Sequence, residues 1–486
     1  MLIEVRLDPD ALRLWQHHLI AELAVLPGVA ICLTLSPGRI SWPRGMETLL
    51  ALEDRIGGRP ADRASERVTF DTMRPLARGS GTADLVVDLA GGSAKAGDPP
   101  VLELLCDALP FETGAIAAVL SGRHALFETQ LVEDGSATVL SRWRPATETP
   151  NRAGSALDML FGRAADMLVQ EVTRLRKGRP PALPPSPAPS VRRGSPAAFF
   201  IRSLEGRIRA KLARQLGQAP DWHVALRRRV GGDGLPDLGP NGFQRLSDDG
   251  QRFYADPFLF EASGETFLFV EEFPYTTQKG ILSVAKVAAD GSMSKPQPVL
   301  EGPDHLSYPF VFAAEGAIWM IPETSGRRTV ELYRADRFPD RWTLHQVLID
   351  NADLADATLL RKDGKWWLFA ASRARWTSSW DALSLYRAEH LTGPWHPHPG
   401  NPIQVDLASS RPGGRILDIG GRLIRPAQDC AGGYGARLAF AEINQLDEDG
   451  FQQRIVEVAR PWRSNSGLHS YDRTRAFEVI DLFGPR

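Results

Sequence analysis

The sequence has little cysteine and almost no net charge. The chain of 486 residues contains three cysteines and has a formal net charge of −2. Cys32, Cys106 and Cys430 are too far apart for a metal-ligand motif and too few for a disulfide framework, so a reducing compartment fits best. A net charge close to zero gives no reason to expect a nucleic-acid partner.

Long apolar runs and a glycine-rich phosphate loop are also missing. No run approaches the roughly 20 residues that span a bilayer, and residues 1–7 have the pattern of a strand rather than of a signal peptide. We therefore expect a cytoplasmic protein. Asp8 and Pro9 directly follow the first strand, where a dinucleotide-binding domain would carry its glycines. We expect no cofactor.

The first part of the chain, residues 1–178, alternates strand and helix patterns. Apolar strand patterns occupy 2–7, 29–35, 83–90 and 100–105, and residues 151–176 have helical periodicity. Strands that alternate with helices predict an α/β domain built on a parallel sheet.

One segment of this domain, residues 101–123, contains turn-forming residues in a distinctive order: Leu109, Pro110, Gly114 and Gly122. This order resembles the active-site segment of folate-dependent formyltransferases, which implies a Rossmann-like, formyltransferase-type fold. Glu103 stands where that family has Asn, and Leu105 where it has His. A carboxylate and an isobutyl group cannot stabilise the oxyanion of formyl transfer, so we expect a degenerate domain with a scaffold or interaction role.

Residues 179–221 read as a linker that contains a helix. A proline-rich stretch comes first, and from 192 to 229 there are ten Lys or Arg residues and two acids. Apolar residues recur every four positions at Phe200, Leu204, Ile208, Leu212 and Leu216, with basic residues between them. The pattern predicts a basic amphipathic helix. We favour a helix that packs its apolar stripe on the β-propeller predicted for residues 222–486. The alternative is peripheral contact with an anionic membrane.

The rest of the chain, 222–486, contains a repeat. Residues 254–271, 306–323 and 354–371 each read as a strand, a glycine turn and a second strand, and the turn glycines Gly264, Gly316 and Gly364 are 52 and 48 residues apart. This period is typical of propeller blades. About 265 residues at about 50 per blade predict a five-bladed β-propeller. We place a fourth unit at 415–428 and a fifth at 437–443 with 454–458, closed by 222–230 or by the C-terminal strand.

The repeat places polar residues in two columns. Asp256, Tyr308 and Asp356 begin the first strand of their units, and Glu271 and Glu323 end the second. A propeller gathers such positions around its axis, where close carboxylates shift one another's pKa and can serve as an acid and a base. Glycosidic chemistry uses such a pair. We predict Asp256, Glu323 and Asp356 as the catalytic residues, with Glu323 as proton donor and Asp356 as pKa modulator.

Further residues are candidates for substrate binding. Trp376 and Trp380 flank a Thr-Ser-Ser loop and offer flat faces to a sugar, and Arg425 is a candidate anchor for an anion or a sugar. The remaining candidates, which the alignment places near the axis, are Glu271, His305, Tyr308, Gln428 and Asp429. His396 and His398 are each followed by proline on a turn, and we expect no metal site there.

Two resemblances accompany the repeat. The motif from Ala255 to Phe258 resembles the first blade of the arabinanase, xylosidase and invertase group of glycosidases, which implies that Asp256 is the base or nucleophile. Tyr308 and Asp356 differ from that group's Asp and Glu. Ordered motifs over about 222–470, including Tyr254 to Phe258, Pro322 to Thr324 and Arg425 to Asp429, resemble the N-terminal domain of glucosamine inositolphosphorylceramide transferases.

These resemblances imply a carbohydrate-active protein of envelope or exopolysaccharide biosynthesis. Its propeller funnel would bind a sugar or sugar conjugate for glycosyl transfer or hydrolysis. The alternative is a non-catalytic glycan-binding or scaffold protein built from two degenerate enzyme domains.

Overall fold

A computed structural model describes residues 1–38, 40–58, 60–92, 94–95, 97–184, 194–215, 220–229, 232 and 234–485. The chain forms two compact units. The first comprises Met1–Leu212 and Ala374–Ser378, and the second Ala213–Arg373 and Ser379–Arg486. Among the described residues, no helix has both the length and the apolar character needed to cross a membrane.

The N-terminal unit is built on one mixed sheet. Its strands are β1 (Leu2–Leu7), β2 (Ala30–Leu35), β3 (Leu85–Asp88), β4 (Val101–Cys106), β5 (Leu109–Pro110), β6 (Phe127–Glu133) and β7 (Ser136–Trp143), in the order β2-β1-β3-β4-β6-β7, with β5 beside β4. Its helices are α1 (Leu14–Ala24), α2 (Met46–Gly57), α3 (Phe70–Met73), α4 (Phe111–Ser121), α5 (Ala153–Lys177) and α6 (Pro196–Gln215).

The predicted wholly parallel sheet is wrong for half of this unit. β1, β2, β3 and β4 pair in parallel, but β6 runs antiparallel to β4 and to β7. The tight turn at Asp134 and Gly135, both with positive φ, joins β6 and β7 as a hairpin and reverses the chain. Gly114 has a packing role on α4, because a Cβ there would lie 2.0 Å from the carbonyl oxygen of Cys106.

The predicted amphipathic helix is present as α6, but its apolar stripe is not packed. Leu204, Ile208 and Leu212 are exposed, and Leu216 lies outside the described residues. The favoured interpretation, a stripe buried against the propeller, is therefore wrong for the described part of the helix.

The second unit is a five-bladed propeller. Before the first blade come β8 (Asp221–Arg228) and β9 (Gln244–Arg245). Blade one holds β10 (Arg252–Ala262), β11 (Glu265–Pro274), β12 (Ile281–Val287) and β13 (Gln297–Leu300); blade two holds β14 (Ser307–Ala314), β15 (Ala317–Thr324), β16 (Thr329–Arg337) and β17 (Arg341–Ile349). Blade three holds β18 (Leu354–Lys362), β19 (Lys365–Ser372), β20 (Ala382–Ala388), β21 (His396–Pro397) and β22 (Gln404–Val405).

The last two blades correct the predicted arrangement of the weaker repeats. Blade four contains β23 (Leu417–Ile419), β24 (Arg422–Asp429), β25 (Arg437–Leu446) and β26 (Phe451–Ala459), so the segments assigned to a fifth unit complete the fourth. Blade five orders β27 (Tyr471–Arg473), β28 (Phe477–Gly484), β8 and β9. The antiparallel pairing of β8 with β28 closes the ring, so the strand near 222–230 and the C-terminal strand, predicted as alternatives, both take part.

The large side chains that hold the blades together lie between neighbouring sheets. A cluster spanning blades one to three includes Phe258, Phe310, Leu332 and Leu368, all buried. Burial of such side chains contributes about 1.5–3 kcal/mol each. This packing fixes the inner strands, whose first residues form the site described next.

Candidate active site of the propeller

The three column residues share an uncommon backbone conformation. Asp256, Tyr308 and Asp356 have φ values of 48°, 47° and 57°. In each blade the pairing of the first strand with the second shifts register at this residue. A β-bulge of this kind re-aims a side chain, and a non-glycine residue with positive φ costs on the order of 1–3 kcal/mol. The sequence column is therefore a repeated backbone device that turns side chains toward the axis.

Four carboxyl groups meet where these strands begin. Asp256, Glu271, Glu323 and Asp356 lie on blades one to three, and their charges act on one another. Burial, followed by the neighbouring carboxylates of Asp256 and Glu323, holds the pKa of Glu271 well above its usual value. The adjacent Glu272 instead forms an ion pair with Arg252 and accepts a hydrogen bond from Ser283.

Arg411 lies beside two of these carboxyl groups, Asp356 and Glu323. Its Nε donates to Asp356 Oδ2 at 2.6 Å, and its Nη2 lies 3.7 Å from Glu323 Oε2. Burial raises the pKa of Asp356 well above its usual value, and Asp356 shares a hydrogen bond with Glu323. Burial alone would raise the pKa of Glu323, but Arg411 and the bond from Asp356 lower it. Asp356 and Glu323 therefore titrate as a coupled pair beside Arg411.

Blade five and the segment before it contribute Asp481 and His469, which lie in a row with Asp256 of blade one. His469 Nδ1 lies 2.7 Å from Asp481 Oδ1, and its Nε2 lies 3.4 Å from Asp256 Oδ1. Burial would lower the pKa of His469, but Asp481 and Asp256 outweigh that effect and raise it. Trp222 stacks on the imidazole with a centroid distance of 3.9 Å. Asp481 and Trp222 thereby fix the ring that faces Asp256.

Ligand atoms of Asp481, His469 and Asp256 lie within 4.8 Å of one another, which is close enough to hold a metal ion. Asp481 accepts hydrogen bonds from the backbone amides of Asp256, His469 and Ser470, and from the ring of His469. Three of these four donors contact Asp481 Oδ1, and a carboxylate oxygen has about two lone pairs, so Oδ1 is occupied. The contacts favour a hydrogen-bond chain over a metal site.

Aromatic side chains surround this centre. Tyr434 is 37% exposed. Its ring lies 5.5 Å from that of Trp380, 6.2 Å from that of Trp222 and 5.4 Å from that of His469. The guanidinium of Arg411 lies 5.1 Å from the same ring. Trp222, Trp380 and Tyr434, which we call the aromatic rim, offer the flat faces that pyranose C–H groups pack against.

The structure brings several predicted binding residues to this centre. His305 Nε2 lies 3.4 Å from Glu271 Oε1, and half of its side chain is exposed. Gln428 Nε2 donates to Asp356 Oδ2 at 3.0 Å. Tyr308 is fully buried, and its hydroxyl contacts Thr358 and accepts from the amide of Gly414. Tyr308 therefore supports the inner strands with the group that a ligand would use.

Other predicted binding residues have different surroundings. Arg425 donates to the carbonyls of Ser409 and Ser410 and to the Gln453 side chain, which occupies its guanidinium. Asp429 forms an ion pair with Arg437 at 2.9 Å. Trp376 belongs to the segment that groups with the N-terminal unit, not with the propeller.

The sequence reasoning missed Arg411, His469, Asp481, Trp222 and Tyr434. A signal existed for the first of these. The pair Arg411-Pro412 repeats the X-Pro pattern of Asp256-Pro257 and Tyr308-Pro309. The fourth unit is instead predicted to begin at residue 415, which leaves Arg411 outside it. His469 and Asp481 follow no repeat.

Fold and site together define a five-bladed propeller with a buried acidic centre under an aromatic rim. Residues 245–481 match the family model described as glucosamine inositolphosphorylceramide transferase 1, N-terminal. The protein of that name from Oryza sativa subsp. japonica is 38% identical over 210 residues, which cover 42% of this chain and 28% of that protein. The Arabidopsis thaliana protein is 33% identical over 236 residues, covering 47% and 31%. The chain thus spans about a third or less of these relatives.

Solved structures with a similar arrangement include Zg3597, a family 117 glycoside hydrolase from Zobellia galactanivorans. It has a TM-score of 0.36 and 14% identity, covering 55% of this chain and 91% of that one. An exo-β-1,3-galactanase from Clostridium thermocellum has a TM-score of 0.35 and 12% identity, covering 44% and 54%. These TM-scores are low, so we assign the propeller from the strand pairing of this chain and not from the solved structures. The matched family range lies in the propeller, so the formyltransferase-like interpretation of residues 1–178 stays a prediction.

Proposed function

We propose that the propeller site binds a sugar or sugar conjugate and carries acid–base chemistry on it, by glycosyl transfer or hydrolysis, in cytoplasmic steps of envelope or exopolysaccharide biosynthesis. One observation carries the proposal: buried carboxyl groups with opposite pKa shifts lie together beside an aromatic rim. Glycoside hydrolysis canonically uses one carboxylic acid and one carboxylate that flank the same bond.

The surroundings of each carboxyl group suggest its role. Burial raises the pKa of Asp256, and His469 beside it opposes that shift. The Asp256 carboxylate also accepts hydrogen bonds from Ser470 Oγ and the amide of Tyr308, and these contacts suit a base or nucleophile. The pKa of Glu271 is held well above its usual value, which favours its protonated form, so Glu271 is the better candidate for the proton donor. Glu323, predicted from the sequence as donor, has a lowered pKa and suits the role of a fixed negative charge.

The matched relatives support a carbohydrate ligand. Their name joins an amino sugar, glucosamine, to a phosphoinositol lipid, inositolphosphorylceramide. We infer that the ligand of this chain contains a sugar. This sugar packs on the aromatic rim and contacts Arg411, the cation beside the carboxylates.

A second function, glycan binding without turnover, is favoured by one observation. Asp256 is held by a backbone amide, and blade two offers the buried hydroxyl of Tyr308 instead of a carboxylate. A site of this kind recognises a sugar through hydrogen bonds and ring stacking without a complete set of reacting groups.

Glycan-array binding and product analysis by mass spectrometry test both functions. The full chain is compared with Asp256→Asn and with the control Asp340→Asn, which changes an exposed acid paired with Arg337. We expect Asp256→Asn to keep binding and to lose turnover by about 10²–10⁴-fold, while the control behaves as the wild type. Binding without turnover by the wild type on every bound glycan would support the second function. A wild type that binds no glycan would contradict both.

A further inference from the structure

Helix α6 presents an apolar face to solvent. Ile201, Leu204, Ile208 and Leu212 are 58%, 45%, 51% and 51% exposed. Positions spaced by three, four and seven residues share one face of a helix. Exposed apolar residues are ordinary when scattered, but a contiguous row of them marks an interaction surface.

The other side of the helix is anchored within the N-terminal unit. Phe199 and Ser203 are buried. Arg202 donates to the carbonyl of Leu120 at 2.6 Å, and Arg207 donates to that of Asn151 at 3.2 Å. The apolar face is therefore turned outward on a helix that is already held in place, and it needs no refolding to meet a partner.

The charge of α6 identifies the partner. The helix contains five basic residues and one acid, Glu205. Arg209 and Lys211 are exposed and flank the apolar face. A second copy of this chain would place two basic faces opposite each other across a twofold axis, which is unfavourable. A surface that is both apolar and anionic matches this face better.

We propose that α6 docks on an anionic membrane, with its axis in the plane of the interface. Ile201, Leu204, Ile208 and Leu212 enter the boundary between headgroups and acyl chains, while the cations contact anionic headgroups. The proposal is independent of the propeller chemistry, since it uses no residue of the propeller site.

Flotation with vesicles tests the proposal on the full chain. Phosphatidylcholine vesicles are compared with vesicles that also contain phosphatidylglycerol. The wild type should float only with the anionic vesicles, and salt should weaken this binding. Leu204→Glu with Ile208→Glu should abolish it. The matched control Leu344→Glu changes an exposed leucine of β17 and should have no effect.

A second variant separates the two contributions. Arg209→Gln with Lys211→Gln keeps the apolar face, and the loss of each cation should weaken binding about fivefold, or about 25-fold together. Light scattering shows whether the chain associates with itself. The proposal is overturned if the wild type ignores anionic vesicles, if the double glutamate variant binds them equally, or if a dimer forms that this variant dissociates.

Discussion

The protonation of Glu271 can be tested by replacing it with Gln, its neutral analogue. Glu271 is buried and has a pKa held well above its usual value by burial and by the nearby carboxylates. Below pH 4.5, both folded and unfolded chains hold this proton. Between that value and the raised pKa, only the folded chain holds it, so the free energy of unfolding falls as pH rises, by about 1.4 kcal/mol per pH unit for one proton.

Glu271→Gln removes this dependence, because the amide has no proton to release. We expect wild type and variant to have similar stability near pH 5, and the variant to gain up to about 1.4 kcal/mol per pH unit relative to the wild type until the raised pKa is passed. Urea unfolding of the full chain at about pH 5 to 8, followed by tryptophan fluorescence, measures the difference.

The control is Glu301→Gln, whose side chain is 64% exposed. It should stay within about 0.5 kcal/mol of the wild type at every pH. Parallel pH curves for wild type and Glu271→Gln would show that Glu271 releases its proton at the same pH in both states, which would refute its assignment as proton donor.

Two further substitutions test the frame of the site. Arg411→Met should lower the free energy of unfolding by about 3–5 kcal/mol at neutral pH, and by less in acid, where the neighbouring carboxylates take up protons. Arg422→Met, at an exposed ion pair, should lower it by under about 1 kcal/mol. Equal losses in urea unfolding would contradict the role of Arg411. Gly414→Ala should lower the melting temperature far more than Gly316→Ala, because a Cβ at Gly414 would lie 1.9 Å from the carbonyl oxygen of Tyr471 and one at Gly316 meets nothing within 4 Å. Similar losses would contradict that close approach.

The sequence was sufficient for the first three blades. Their turns require positive φ, so glycine recurs at Gly264, Gly316 and Gly364 and marks the repeat. The same alignment found Asp256 and Asp356, because each blade repeats the bulge that turns them inward.

The remaining parts of the site depend on pairings between distant segments. β8 joins β28 across most of the propeller sequence, and no local pattern marks that pairing. His469 and Asp481 belong to this blade and were missed for that reason. In the N-terminal unit a local signal did exist, since Asp134 and Gly135 form a hairpin turn between alternating segments. The prediction of a parallel sheet did not use this hairpin signal.

The way the ring closes also sets the order in which the parts of the site are assembled during synthesis. β8 is the first propeller strand to leave the ribosome, and its partner β28 is the last propeller strand to be synthesised. Asp481 lies on β28 and orients His469 toward Asp256. A nascent chain therefore displays the carboxylates of three blades long before the group that completes their array. The chemistry proposed for this centre therefore has to wait for translation of β28.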